Sequence, residues 1–169
     1  MPKNVIKTVE TSSLPNFPIL EAYKHNRIIT KHFTNLSMYM SHERFSFLSW
    51  LIYESNSDNT IVYNTNLFIK YRASVLAANN EYNNSYGTKL VNGLRTTVSN
   101  LRYSLKWLIE NGYLFRIGRF KFIINPRLVY YEYLSPKEIA AFNIRYQSAD
   151  KNNAIELMND YIQMVKNKM

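Results

Sequence analysis

Residues 96–126 read TTVSNLRYSLKWLIENGYLFRIGRFKFIINP, and this run narrows the possible folds more than any other part of the chain. Val98, Leu101, Leu105, Leu108 and Ile109 recur at three- and four-residue steps, the repeat that gathers apolar side chains on one helical face. The spacing predicts a helix that opens at Thr96 or Thr97 and runs through Asn111. Gly112 then falls at the C′ position, where a left-handed residue ends a helix at little cost. The stretches 113–117 and 120–124 read as strands. Only Gly118 and Arg119 lie between them, and a Gly-X pair is the signal for a type II′ hairpin. Asn125-Pro126 stops the second strand, because proline has no N–H to give a ladder. The helix must bury its leucine face against other helices, and the hairpin must lie beside it.

Partners for that face lie upstream. Ser41 stands as an N-cap before a helix over 42–55, its hydroxyl oxygen placed to accept an orphan backbone N–H. Phe45, Leu48, Leu51 and Ile52 share one side of this helix, and Phe47 and Trp50 occupy others, so it belongs in the middle of a core. Asn56-Ser-Asp-Asn59 is a turn cluster, and residues 60–63 form a short β-prone run. A second helix over about 65–79 carries an imperfect stripe of Leu67, Ile69, Tyr71, Val75 and Leu76. The polar stretch 79–87 reads as a loop or insertion, with a further helical turn over 88–94. The three helices and two-stranded hairpin follow the plan of a winged helix-turn-helix. The expected class is mainly α with a small β hairpin.

Outside this unit, residues 1–40 read as an N-terminal arm or lead-in, with a short strand or extended segment over 27–40. Residues 127–169 read as a C-terminal helical extension. There Ser135, Pro136 and Glu138 spell a capping box with proline at N1, starting a helix through about Gln147. A last helix over 152–168 lines up Ile155, Met158, Ile162 and Val165. Two partners are open to that stripe: the rest of the chain, or a second copy in a homodimer.

The charge is unevenly placed. Residues 70–127 hold 10 basic and 2 acidic residues, against 6 and 5 in 1–69 and 5 and 5 in 128–169. Nearly all of the +9 net charge therefore sits in the segment that carries the expected recognition helix and wing. A basic face attracts polyanions in a salt-sensitive, sequence-independent way; a solvated face that keeps the chain soluble is the plain alternative. The outward side of the helix from Thr96 offers Thr96, Ser99, Asn100, Tyr103, Lys106 and Trp107. A single helix fits a major groove, and an Asn amide there can read adenine. Lys70 and Arg72 lie on the preceding helix, Lys89 and Arg95 on the approach, and Arg116, Arg119 and Lys121 on the hairpin. The expected partner is double-stranded DNA, with phosphate contacts from these cations and any base reading from Ser99, Asn100, Arg102 and Tyr103.

With those residues in view, 96–126 resembles the recognition helix and wing of plasmid replication initiators of the Firmicute RepL type and related phage replication proteins. The shared pattern is a Ser/Thr-led helix with spaced leucines, a Leu-Ile-Glu-x-Gly turn, Gly118-Arg119 in the hairpin and a closing Asn125-Pro126. The resemblance implies a DNA-binding replication or transcription role. It places Thr97, Ser99, Asn100 and Arg102 nearest DNA and Arg119 on the wing. Replication or phage proteins are then expected partners, in a bacterial cytoplasm. The competing reading is a phage or assembly protein that uses the same domain for protein packing, inside a particle.

Other chemistry is poorly provided for. The chain has no cysteine, which removes disulfides, thiolate nucleophiles and Cys-ligated metals. His25, His32 and His42 form no His-x-His pair, and the acidic residues follow no two-metal spacing. No Gly-rich Lys-Ser/Thr loop is present to cradle phosphates. No apolar run reaches the length of a membrane span, and no secretory signal is read at the start. The expectation is a binding protein without catalysis, metal or cofactor.

Overall fold

The computed structural model describes residues 26–86 and 97–169, with 78–86 described in backbone only. It opens on β1 (Arg27–Ile29), a short helix α1 (Lys31–Asn35) and a 3-10 turn (Leu36–Met38). Then come α2 (His42–Glu54), β2 (Thr60–Val62), α3 (Thr65–Tyr86), α4 (Val98–Glu110), β3 (Leu114–Gly118) and β4 (Lys121–Ile124). β5 (Val129–Tyr131), α5 (Pro136–Ser148) and α6 (Lys151–Lys166) complete it. From α2 to β4 the order is helix, strand, helix, helix, strand, strand, with sheet order β2-β4-β3. This is the element order of a winged helix-turn-helix, in a mainly α chain with a small antiparallel sheet.

The helix boundaries follow local chemistry. Ser41 caps α2 by accepting the Arg44 N–H, and Thr97 caps α4 by accepting that of Asn100. At Ser135 both halves of the capping box form, with Pro136 just inside. The Glu138 carboxylate accepts the Ser135 backbone N–H, which holds its pKa below the ordinary value. Gly112 ends α4 at φ +74°, a backbone conformation that a side chain disfavours.

Phe45, Leu48 and Leu51 of α2 and Leu101, Leu105 and Leu108 of α4 are buried in one core, joined by Leu67, Phe68 and Tyr71 of α3. Leu108 is wholly inaccessible, and burying such a side chain contributes about 1.5–3 kcal/mol. Beyond its first turn α2 is buried on most of its circumference, from Phe45 to Ile52 with Ser46 half-buried. Phe33 stacks on Phe45, Phe47 meets Phe68, and Trp50 meets Tyr71 while donating to Ser74 Oγ.

Four expectations need correction. The stretch 79–87 is not a loop where described, since α3 continues to Tyr86. Its asparagines are poor helix formers, but no Gly or Pro interrupts the backbone before Gly87, and a helix already nucleated extends easily. The two-stranded hairpin forms as expected and is extended to a three-stranded sheet, because β2 pairs with β4 through Thr60↔Ile123 and Val62↔Lys121. The hairpin loop is Arg119-Phe120, with Gly118 pairing to Lys121 across a bulge after Arg116. Gly118 does not take the left-handed φ that a II′ turn needs at that position.

The last two corrections concern the ends. Residues 26–40 are no detached arm: β1 pairs with β5, Ile29 to Val129, and Ile29 and Phe33 lie in the main core. Residues 1–25 lie outside the described residues, as does the helical turn expected over 88–94. The α6 stripe is centred on Ala154, Leu157, Met158, Tyr161, Ile162 and Val165, while Ile155 is 40% exposed. It packs with Ile123, Tyr131, Leu134 and Phe142 in a second apolar cluster. The face proposed for a homodimer is thus filled from within the chain. No helix among the described residues is long and apolar enough to cross a membrane.

Candidate nucleic-acid interface

α4 is held from both ends. Near its start, Leu101 faces the core and Thr97 closes the first turn. Near its end, Trp107 lies half-buried against Tyr113, and the Arg44 guanidinium sits 4.5 Å from the indole centre. Trp107 therefore braces α4 against α2 and does not join the outward face. Asn125 performs the matching task between helix and wing. Its Nδ2 donates to the Gly112 carbonyl at 2.9 Å and to the Tyr146 hydroxyl at 3.0 Å, and its Oδ1 accepts the Arg127 N–H. The residue expected only to stop a strand locks the exit of α4 to the sheet.

What remains outward on α4 is Ser99, Asn100, Arg102, Tyr103 and Lys106, all exposed. Ser99, Arg102, Tyr103 and Lys106 share one face, at three- and four-residue steps. Asn100 falls toward its edge, on the Trp107 side. Thr97 is exposed, but its hydroxyl already serves the helix cap.

The wing stands beside this face. Between α4 and the sheet lies a groove of about 340 Å³, floored by Tyr63, Leu105, Ile109 and Phe122. Arg102, Lys106 and Arg116 stand on its rim with Glu110. Helix and hairpin cations that lie 10 or more residues apart in sequence thus meet at one opening. Arg116 also shapes the tip: Nε donates to the Gly118 carbonyl at 3.2 Å and Nη2 to that of Arg119 at 3.1 Å. Arg119 projects from the tip with its guanidinium 5.1 Å from the Phe120 ring centre.

The expected phosphate ligands separate by what already holds them. Lys70 is paired with Glu54 at 3.1 Å, and Lys106 with Glu110 at 3.6 Å, one turn along α4. Both pairs are exposed, so they are weak and open to exchange with phosphate. Arg72 and Arg102 have no such partner among the described residues, and Lys121 is half-buried. Lys89, Arg95 and Thr96 lie outside the described residues.

Among the described residues the strongly shifted groups are Arg27, Tyr71 and Tyr161, all buried and none lining the groove. Among the described residues no cluster of His, Asp and Glu is placed to hold a metal. The residue that sequence reasoning passed over here is Phe120. It is 57% exposed at the wing tip. Only the hairpin register would have revealed it, by moving the turn one residue along. No family model, curated protein or solved structure matches this chain.

Proposed function

We propose that this protein binds double-stranded DNA without catalysis, with α4 in the major groove and the hairpin against the adjacent backbone. The observation that carries the reading is the convergence of Arg102 and Lys106 of α4 with Arg116 of the wing on one groove rim. They sit in the segment that holds almost the whole net charge. An exposed polar helix face of this size fits the major groove, and a basic hairpin beside it fits phosphates. A replication-initiator or transcription-regulator role of plasmid or phage type is the form of this proposal that the 96–126 motif favours.

A binding selection over random duplexes, followed by a salt titration of the retained pool, tests it. Affinity is expected to fall steeply with salt. Arg119→Gln is expected to weaken binding to all sequences alike. Asn100→Ala is expected to cost about 1–3 kcal/mol on the preferred site only. If the folded protein retains no duplex at low salt, the proposal is wrong, and the alternative of a winged domain that packs against protein takes its place. The exposed side chains Val62, Ile69 and Leu76 on β2 and α3 are the feature that favours that alternative.

A further inference from the structure

We infer that the wing tip is a wedge: Phe120 enters a stacked base step of the bound duplex from the minor groove, unstacking it and bending the DNA. This rests on the duplex-binding reading above and adds what the wing does there. Phe120 sits in the two-residue loop between Gly118 and Lys121, the farthest point of the hairpin. The hairpin leaves this large apolar ring 57% exposed, although neighbouring Phe122 is buried in the core. The tip is also stiff. Its carbonyls at 118 and 119 are tied by the Arg116 guanidinium, and the Phe120 carbonyl accepts the Tyr63 N–H at 2.8 Å. A ring held on such a mount loses little freedom when it is inserted.

The surroundings match the occupant. Arg119 lies against the Phe120 ring, with Arg116 and Lys121 on the flanking strands. An apolar ring inside a basic collar is complementary to a base step between two phosphate rows, which is how side-chain wedges kink duplexes by about 20–90°. A protein partner matched to this tip would need an acidic rim around an apolar pocket. A duplex supplies both features without special sequence, most readily at flexible pyrimidine–purine steps.

The test uses the full chain and duplexes rich in TpA steps, with 2-aminopurine at those steps and fluorophores at the two ends. The wild-type protein is expected to brighten the 2-aminopurine and draw the ends together. Phe120→Ala, a change at an exposed site, is expected to keep most of the affinity, since the arginines remain, while both signals disappear. Phe120→Leu is expected to restore part of them. Wild-type binding with dark 2-aminopurine and unchanged end-to-end distance overturns the wedge and leaves duplex binding standing. So does a Phe120→Ala protein that brightens the probe as wild type does. A wild-type protein that retains no duplex at low salt overturns both proposals together.

Discussion

Asn59 is the joint on which the wing is mounted, and its replacement tests the account of how the interface is positioned. It stands at φ +64°, immediately before β2, and is completely buried. Its backbone carbonyl accepts the Ile124 N–H at 3.0 Å. Its side-chain Nδ2 donates to the Ile124 carbonyl at 3.3 Å and to the Val129 carbonyl at 2.7 Å. One residue therefore ties β2 to the end of β4 and both to β5. Its Oδ1 is buried without a partner, so part of what the amide contributes is already offset.

Three substitutions separate these effects. Asn59→Gly keeps the left-handed backbone and removes the donor from two buried carbonyls, a loss of about 1–3 kcal/mol. Asn59→Ala suffers the same loss and adds about 1–2 kcal/mol for a Cβ in the left-handed region. Asn59→Asp keeps an asparagine-like backbone preference but turns a carboxylate toward two carbonyls, so it is expected to be the least stable of the three at neutral pH. Urea unfolding monitored by tryptophan fluorescence and by circular dichroism is expected to give the stability order wild type, Gly, Ala, Asp. An Ala variant as stable as the Gly variant would refute the backbone argument. An Asp variant as stable as wild type would refute the donor argument.

Two further expectations concern the interior. Arg27 is wholly buried and donates to Ser55 Oγ and the Ile52 carbonyl at 2.6 Å each; among the described residues its Nε is unpaired and it has no ion-pair partner, and burial pushes its pKa down to about 10. Since Ser55 Oγ also donates to the Ile52 carbonyl, Arg27→Met is expected to change stability by less than about 1 kcal/mol or to increase it, whereas Arg27→Ala is expected to lose about 2–5 kcal/mol to a cavity. Equal losses in urea unfolding would show that the guanidinium itself stabilises the fold. Burial raises the Tyr71 phenol to about 12 and the Tyr161 phenol further still. A raised folded pKa contributes stability that is complete below the unfolded value of about 10 and lost as pH climbs through the folded one. The urea midpoint is therefore expected to fall as pH rises above about 10, and Tyr71→Phe is expected to blunt that fall. An unchanged midpoint across that window would contradict the burial of both rings.

What could be read in the sequence was whatever short-range chemistry decides. The Ser135 capping box, Gly112 after α4, and the leucine spacing of α4 are each specified within a few residues, and each appears as expected. The pairing of β1 with β5 was not readable, because Ile29 meets Val129 across a hundred residues and each strand is only 3 residues long. Nothing local distinguishes such a strand from an extended lead-in. Arg27 was hidden for a related reason: a cation beside two isoleucines reads as a surface residue until its partners, Ile52 of α2 and Ser55 just after it, are in place.

The site divides along the same line. Exposure of Ser99, Asn100, Arg102, Tyr103 and Lys106 follows from the helical repeat alone, because the leucines settle which face is inward. Trp107 defeated that logic. It sits at the margin of the apolar arc, where periodicity is silent, and Arg44 and Tyr113 decide its side. The wing was misread by one residue for an equally physical cause. A Gly-X pair fits a II′ turn, but the bulge after Arg116 moves Gly118 into the strand and Phe120 into the loop. That shift changes what the wing presents, from a single arginine to an arginine laid on an exposed aromatic ring. A tip of arginine alone would be polar throughout, whereas a tip carrying Phe120 has apolar area that stays in water unless something takes it in. What the wing presents at its tip therefore rests on a register that only the paired strands fix.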